Sequence, residues 1–144
     1  NNTMAILTVS IKEELTLNGT DYGSEYVMSE TVTQVYKRII TCTTTEQSIL
    51  LFAAADAAGT LKDATADYVR ITNLDASNTI LLRIVGAATQ YYVKLEAGDS
   101  WIGGNSLMYA DATGTSAAGT LIPIDSIYAD ATGGDADVEI FAAL

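Results

Sequence analysis

There is no histidine anywhere in the sequence, one cysteine, Cys42, and one proline, Pro123. Without histidine, neither a Ser-His-Asp nor a Cys-His arrangement can form, and imidazole-bound zinc or iron is excluded. A single thiol can neither close an internal disulfide nor build a thiolate cluster. Cys42 therefore reads as a small buried hydrophobe, with a reactive thiol or an intermolecular bridge as the alternative. Positive charge is scarce too: seven Lys and Arg stand against 18 Asp and Glu, a net charge of −11. Phosphate backbones and anionic lipid demand clustered bases, so no nucleic acid and no membrane is expected as a partner. No apolar run approaches the roughly 20 residues that span a bilayer, and no basic segment precedes a cleavage-like site. A soluble protein without an evident signal peptide is expected, and with Met4 close to the start the expectation is a chain that begins a few residues beyond its true initiator.

The acids that remain do not group into a catalytic pair of the glycosidase kind. The expectation is a protein that is not an enzyme, with no catalytic residues, no cofactor and no metal. One carboxylate cluster is worth weighing: Asp135, Asp137 and Glu139, with Asp130 upstream, supply hard oxygen ligands that suit Ca²⁺. They lack EF-hand spacing, and strand alternation sets all three on an exposed face, so a solvated face is the simpler reading. Gly103-Gly104 and Gly133-Gly134 lack the strand–turn–helix context and the basic residue of a phosphate loop, and read as turns.

What the sequence has is strand pattern. Residues 67–98, DYVRITNLDASNTILLRIVGAATQYYVKLEAG, hold three short runs rich in β-branched and aromatic residues. Ile80, Leu82 and Ile84 share one parity in the second run, and Tyr91, Val93 and Leu95 share one in the third. The tight-turn chemistry of Asp75 to Asn78, and Gly86, predict an antiparallel meander of three strands. Upstream, Leu7, Val9, Ile11, Leu15 and Leu17 share a parity over residues 5–17. That stretch is one long strand or two joined near Glu13-Glu14, ending at the Asn18-Gly19 turn. Residues 35–42 form the strand-like heart of the next segment, where Lys37-Arg38 reads as a charged edge.

Residues 46–58 are ambiguous. Thr43-x-x-Glu46 resembles a capping box, but the block Ser48 to Phe52 favours a strand over 47–54 with the Ala-rich tail as loop. Residues 107–110, 121–129 and 138–142 are the last strand candidates. Tyr109 to Gly114 recurs as Tyr128 to Gly133, which reads as two strand ends using one exit turn.

Charge is uneven along the chain. Residues 1–94 hold all seven bases and ten acids, net −3, and residues 95–144 hold eight acids and no base, net −8. Solubility is one reading. Complementarity to a basic neighbour, including a second copy, is the other, since Arg70, Arg83 and Lys94 fall on the less apolar faces of three consecutive strands. Eight tyrosines outnumber Phe and Trp together, which suits half-buried strand faces before it suits a sugar-stacking platform.

About eight short strands, turns of Gly, Asn and Asp, and a size of 144 residues predict one all-β domain over residues 1–144, an antiparallel β-sandwich, jelly-roll-like. Tyr68-Val69-Arg70-Ile71-Thr72-Asn73-Leu74-Asp75, Tyr92-Val93-Lys94-Leu95-Glu96-Ala97-Gly98-Asp99-Ser100, and the closing Ile127-Tyr128-Ala129-Asp130 and Val138-Glu139-Ile140-Phe141 carry a likeness. Over residues 67–142 the chain resembles small jelly-roll structural proteins of tailed-bacteriophage virions. That resemblance implies a non-enzymatic building block, often a homotrimer, bound to the major capsid protein as decoration or cement, or serving in a head fibre, neck or tail. It carries over no functional residue. The alternative is a glycan-binding jelly roll for host attachment that uses Tyr92 or Trp101.

Overall fold

A computed structural model describes residues 4–53, 59–62, 66–86, 89–103, 107–108 and 122–144. The chain divides into two compact units, Asn1–Gln34 and Val35–Leu144, and no helix occurs among the described residues.

The first unit is a ribbon. β1 (Ala5–Glu13) pairs antiparallel with β4 (Ser24–Val32) along its whole length, and the short β2 (Thr16–Leu17) and β3 (Thr20–Asp21) close it. The predicted Asn18-Gly19 turn is there, with φ of 52° and 77°. Both values lie where Asn and Gly are tolerated and where a two-residue hairpin needs them.

The second unit holds β5 (Val35–Cys42), β6 (Gln47–Ala53), β7 (Leu61–Lys62), β8 (Tyr68–Asn73), β9 (Thr79–Gly86), β10 (Thr89–Leu95), β11 (Ser100–Gly103), β12 (Leu107–Met108), β13 (Ile122–Thr132) and β14 (Ala136–Ala143). One sheet runs β11-β8-β14-β5. The other runs β10-β9-β13-β6, continued by β7 in parallel, with β12 against the start of β13. Counting only the eight principal strands in chain order, the first sheet is 6-3-8-1 and the second 5-4-7-2. The antiparallel ladders β5–β14, β6–β13, β8–β11 and β9–β10 thus pair first with last, second with seventh, third with sixth and fourth with fifth. That is one long hairpin, folded at the β9–β10 turn and wrapped across two sheets, which is the jelly-roll order.

Alternation builds the core. Ile80, Leu82 and Ile84 on β9, Val138 and Ile140 on β14, Ile71 on β8 and Ile127 on β13 have no exposed surface. Each such side chain contributes roughly 1.5–3 kcal/mol of burial. Every residue of the core cluster lies in the second unit.

The predicted strand over 47–54 is β6. Its register against β13 shifts between Ile127 and Tyr128, so Ser48 faces Tyr128 and Leu50 faces Ile127. The extra residue lets Ile49 and Leu50 both bury, which is why that block does not alternate. Residues 54–58, and the first copy of the repeat at 109–114, lie outside the described residues.

The meander over residues 67–98 is corrected. β9 and β10 form the expected hairpin, but β8 belongs to the other sheet and pairs with β11 and β14. Asp75 to Asn78 is a crossing between sheets. Its Asx turn is real: the Asp75 carboxylate accepts from the Ser77 and Asn78 backbone N–H groups at 2.8 and 2.6 Å. The crossing is anchored by Asn73, which is fully buried. Its amide donates to the carbonyls of Asn78, Leu95 and Glu96 at 2.9, 3.2 and 3.0 Å, and its oxygen accepts from Asp75 N–H at 3.0 Å.

Candidate interaction surfaces

On the outer face of the second sheet, cross-strand register aligns Tyr92 of β10, Arg83 of β9, Tyr128 of β13 and Ser48 of β6 in one row. Opposed residues on neighbouring strands sit within reach of each other. The Arg83 guanidinium is held from three sides. It donates to both oxygens of Glu46, one at 2.9 Å from Nε, and to Gln90 Oε1 at 3.3 Å. Its Cζ lies 4.3 Å from the centre of the Tyr128 ring, within cation–π distance. The Arg83 hydrogen bond holds the Glu46 carboxyl below its usual range, and the same bond raises Arg83. Tyr92 beside this fixed cation is 54% exposed, so the row presents an aromatic face next to a preorganised charge.

The outer face of the first sheet carries a polar ladder instead. Thr41 donates to Asp137 at 2.6 Å, and Glu139 pairs with Arg70 and, at 3.8 Å, with Lys37. Arg70 also reaches Thr72, which is 2.7 Å from Ser100 Oγ. Four charged side chains, Lys37, Arg70, Asp137 and Glu139, and the hydroxyls of Thr41, Thr72 and Ser100 are thereby linked across four strands. Beside them Phe141 meets Tyr68 edge-on at 6.0 Å, and Val35 and Ile39 remain exposed on β5.

At the open side of the sandwich a cavity of ≈ 250 Å³ is lined by Tyr36 and Arg38 of β5 together with β6 and residues 59–61. It is modest beside the roughly 300–1,000 Å³ of ligand pockets.

The structure disperses the residues singled out by sequence. Arg70 lies on one sheet while Arg83 and Lys94 lie on the other, so the basic trio does not form a shared surface. Lys94 pairs with Glu96. Trp101 is corrected as a stacking platform: it faces inward from β11 and packs on the core, and Tyr92 lies on the opposite sheet. A Cβ at Gly103 would stand 2.6 Å from the Trp101 ring, so glycine makes room for the indole. Asp137 and Glu139 do share the exposed face of β14, but their oxygens go to Thr41, Arg70 and Lys37. Asp135 sits in the turn before the strand. Among the described residues no group of three acidic or thiol side chains is placed to hold a metal.

Cys42 is fully buried, and burial, with Asp130 and Asp137 adding, pushes its thiol up to about 11. A thiol so raised is a poor nucleophile at neutral pH.

The Arg83–Tyr128–Glu46 contact was not evident from sequence, because it depends on β13 lying beside β9, strands about 45 residues apart. The only hint was the parity of Tyr128 opposite Ile127, Ala129 and Ala131, and the register shift between Ile124 and Ser126 blurs it, because in sequence Ile122 and Ile124 share the parity of Tyr128.

No helix among the described residues is long and apolar enough to cross a membrane. No protein-family model, no curated protein and no solved structure matches the chain.

Proposed function

We propose that this chain is a non-enzymatic structural protein of a tailed-bacteriophage virion, a decoration or cement protein that binds the assembled capsid as a homo-oligomer, with a trimer favoured. The observation that carries the reading is the row Tyr92–Arg83–Tyr128 on the outside of a filled sandwich. Tyr and Arg are the residues that dominate protein interfaces, and a guanidinium already fixed by Glu46 and Gln90 gives up little side-chain freedom on docking. The jelly-roll order agrees with the resemblance noted in residues 67–142. The interior is filled with aliphatic side chains, so the exterior is the surface left for recognition.

Mass action supplies the mechanism. A protein that binds the assembled shell and not its separated subunits stabilises the shell by about 2.7 kcal/mol per site at a hundredfold excess over Kd. Trimeric symmetry suits a threefold position on a shell, where several modest contacts act together.

The test is co-sedimentation with capsids assembled from the major capsid protein of the same genome. The wild-type chain is expected to bind in many copies and raise the disruption temperature of the particle. Tyr92→Ala is expected to weaken binding by roughly 30-fold, the effect of losing one interface anchor. Wild-type protein that ignores capsids overturns the reading, and a few copies per particle reassigns it to neck or tail.

A second reading has its own observation. An exposed tyrosine face framed by Arg83, Gln90 and Glu46 also suits a sugar ring, which stacks on aromatic carbons and bonds to planar polar groups. Glycan-array binding that Tyr92→Ala abolishes favours host attachment, now without Trp101.

A further inference from the structure

The ribbon of the first unit is one-sided. Register sets Val9 opposite Met28, Ile11 opposite Tyr26 and Leu7 opposite Glu30, and opposed residues share a face. The reverse face holds Thr8, Ser10, Lys12, Glu25, Ser29 and Thr31, with Ile6 and Val27 as its apolar members. Ile11 and Tyr26 are 42% and 65% exposed. Two strands with an apolar face are marginal in water, and become stable with a third strand or a covering layer. The ribbon is also acidic: residues 1–34 hold Glu13, Glu14, Asp21, Glu25 and Glu30 against Lys12 alone, net −4.

The second unit offers the complement on β5, the outer strand of its sheet. Eight residues long, it exposes Val35 and Ile39 at 56% and 58%. It also carries the chain's one adjacent basic pair. Lys37 is 61% exposed and stands 3.8 Å from Glu139, a loose pair. Arg38 reaches the Tyr36 hydroxyl at 3.3 Å and meets no carboxylate among the described residues. An edge of this kind repels a copy of itself and accepts an acidic strand.

We propose that the β1–β4 ribbon of one copy docks on the β5 edge of a second copy, setting its acidic side chains against Lys37 and Arg38 and apolar ones against Val35 and Ile39. Donor and acceptor surfaces differ, so the contact is heterologous, and a closed ring of copies occupies every ribbon and every edge. This deepens the assembly reading above, on which it rests for the expectation that copies associate.

Light scattering on the full chain at micromolar concentration, across a salt series, tests it. The wild-type chain is expected to run as an oligomer that loosens as salt rises. Glu25→Lys with Glu30→Lys, or Lys37→Glu with Arg38→Glu, is expected to weaken association roughly tenfold. The chain carrying all four reversals associates again, because the opposed charges are exchanged. Val9→Asp with Met28→Asp yields monomers, while Trp101 fluorescence reports an unchanged sandwich. A monomeric wild type, reversals without effect, or four reversals that stay dissociated overturns the proposal. Capsid binding is scored separately with Tyr92→Ala: particles bound by monomers remove the ribbon contact alone, and oligomers that ignore capsids remove the virion reading alone.

Discussion

Ile11 on the ribbon's apolar face and Ile80 in the sandwich obey the same alternation rule, yet Ile11 is 42% exposed and Ile80 has no exposed surface. Both units are antiparallel, both put apolar residues on a chosen face, and both use Asn or Gly at their turns. They differ in whether the unit itself supplies a second layer. The sandwich has a facing sheet, and every residue of its core cluster lies in that unit; on the ribbon only Val32, at the end of its second long strand, is buried among the described residues. The ribbon is a two-stranded sheet of its own. Alternation specifies which face is apolar and is silent about what covers it, so the ribbon's pattern is information about a partner.

The largest expected effect breaks this comparison if it fails. Leu82→Ala removes a fully buried side chain between two sheets and is expected to cost about 2–5 kcal/mol. Ile11→Ala, on the ribbon's apolar face and 42% exposed, is expected to cost under about 1 kcal/mol. Urea unfolding of both variants measures the difference. Equal costs mean that the ribbon is as covered as the sandwich, and the contrast between the units collapses.

A second variant sharpens it with polar groups. Asn73 is buried and satisfies three carbonyls and one N–H at the crossing from β8 to β9. Asn73→Ala leaves those partners unpaired, the buried Leu95 carbonyl among them, and is expected to cost roughly 1–3 kcal/mol. Ser10→Ala on the ribbon, an exposed strand position, leaves nothing unpaired and is expected to be neutral by the same measurement.

Asn73 also marks the limit of what the sequence conveys. The strands, the parity of Ile80, Leu82 and Ile84, the Asn18-Gly19 turn and the edge character of Lys37-Arg38 were all legible, because each depends on a few neighbouring residues. The turn chemistry of Asp75 was legible too. Its destination was not: an Asx turn looks the same whether the chain returns to its own sheet or crosses to the other, and here Asn73 decides by bonding to carbonyls at 78, 95 and 96. The same limit hid the candidate surface. Tyr92 stood out by composition, but Glu46 and Tyr128 come from strands whose adjacency is a property of the wrapped hairpin. Trp101 misled for the complementary reason, since a strand's two faces are equivalent until it is known which one meets the core.

Charge gives the smallest effect and the finest discrimination between the units. Glu139 is 17% exposed at its side chain and lies against Arg70, itself 27% exposed. The hydrogen bond from Arg70, and then its charge, hold the Glu139 carboxyl below its ordinary 4.5. A carboxyl depressed in the folded state adds stability that is fully present above its unfolded value and is lost as pH falls through the folded one. Glu139→Gln is therefore expected to cost roughly 0.5–1 kcal/mol at pH 7. The gap to wild type narrows as pH drops below that ordinary value, where the unfolded carboxyl takes up a proton first, and closes below the depressed folded value, where both chains carry a neutral side chain beside Arg70. The ribbon's own pair, Lys12 with Glu14, has both side chains exposed, at 60% and 76%. Glu14→Gln is expected to change stability by no measurable amount at either pH. Urea midpoints of the two variants at pH 7 and pH 3 decide the matter: a pH-dependent cost confined to Glu139 means that ion pairs, like apolar side chains, count only where their own unit has a second layer behind them.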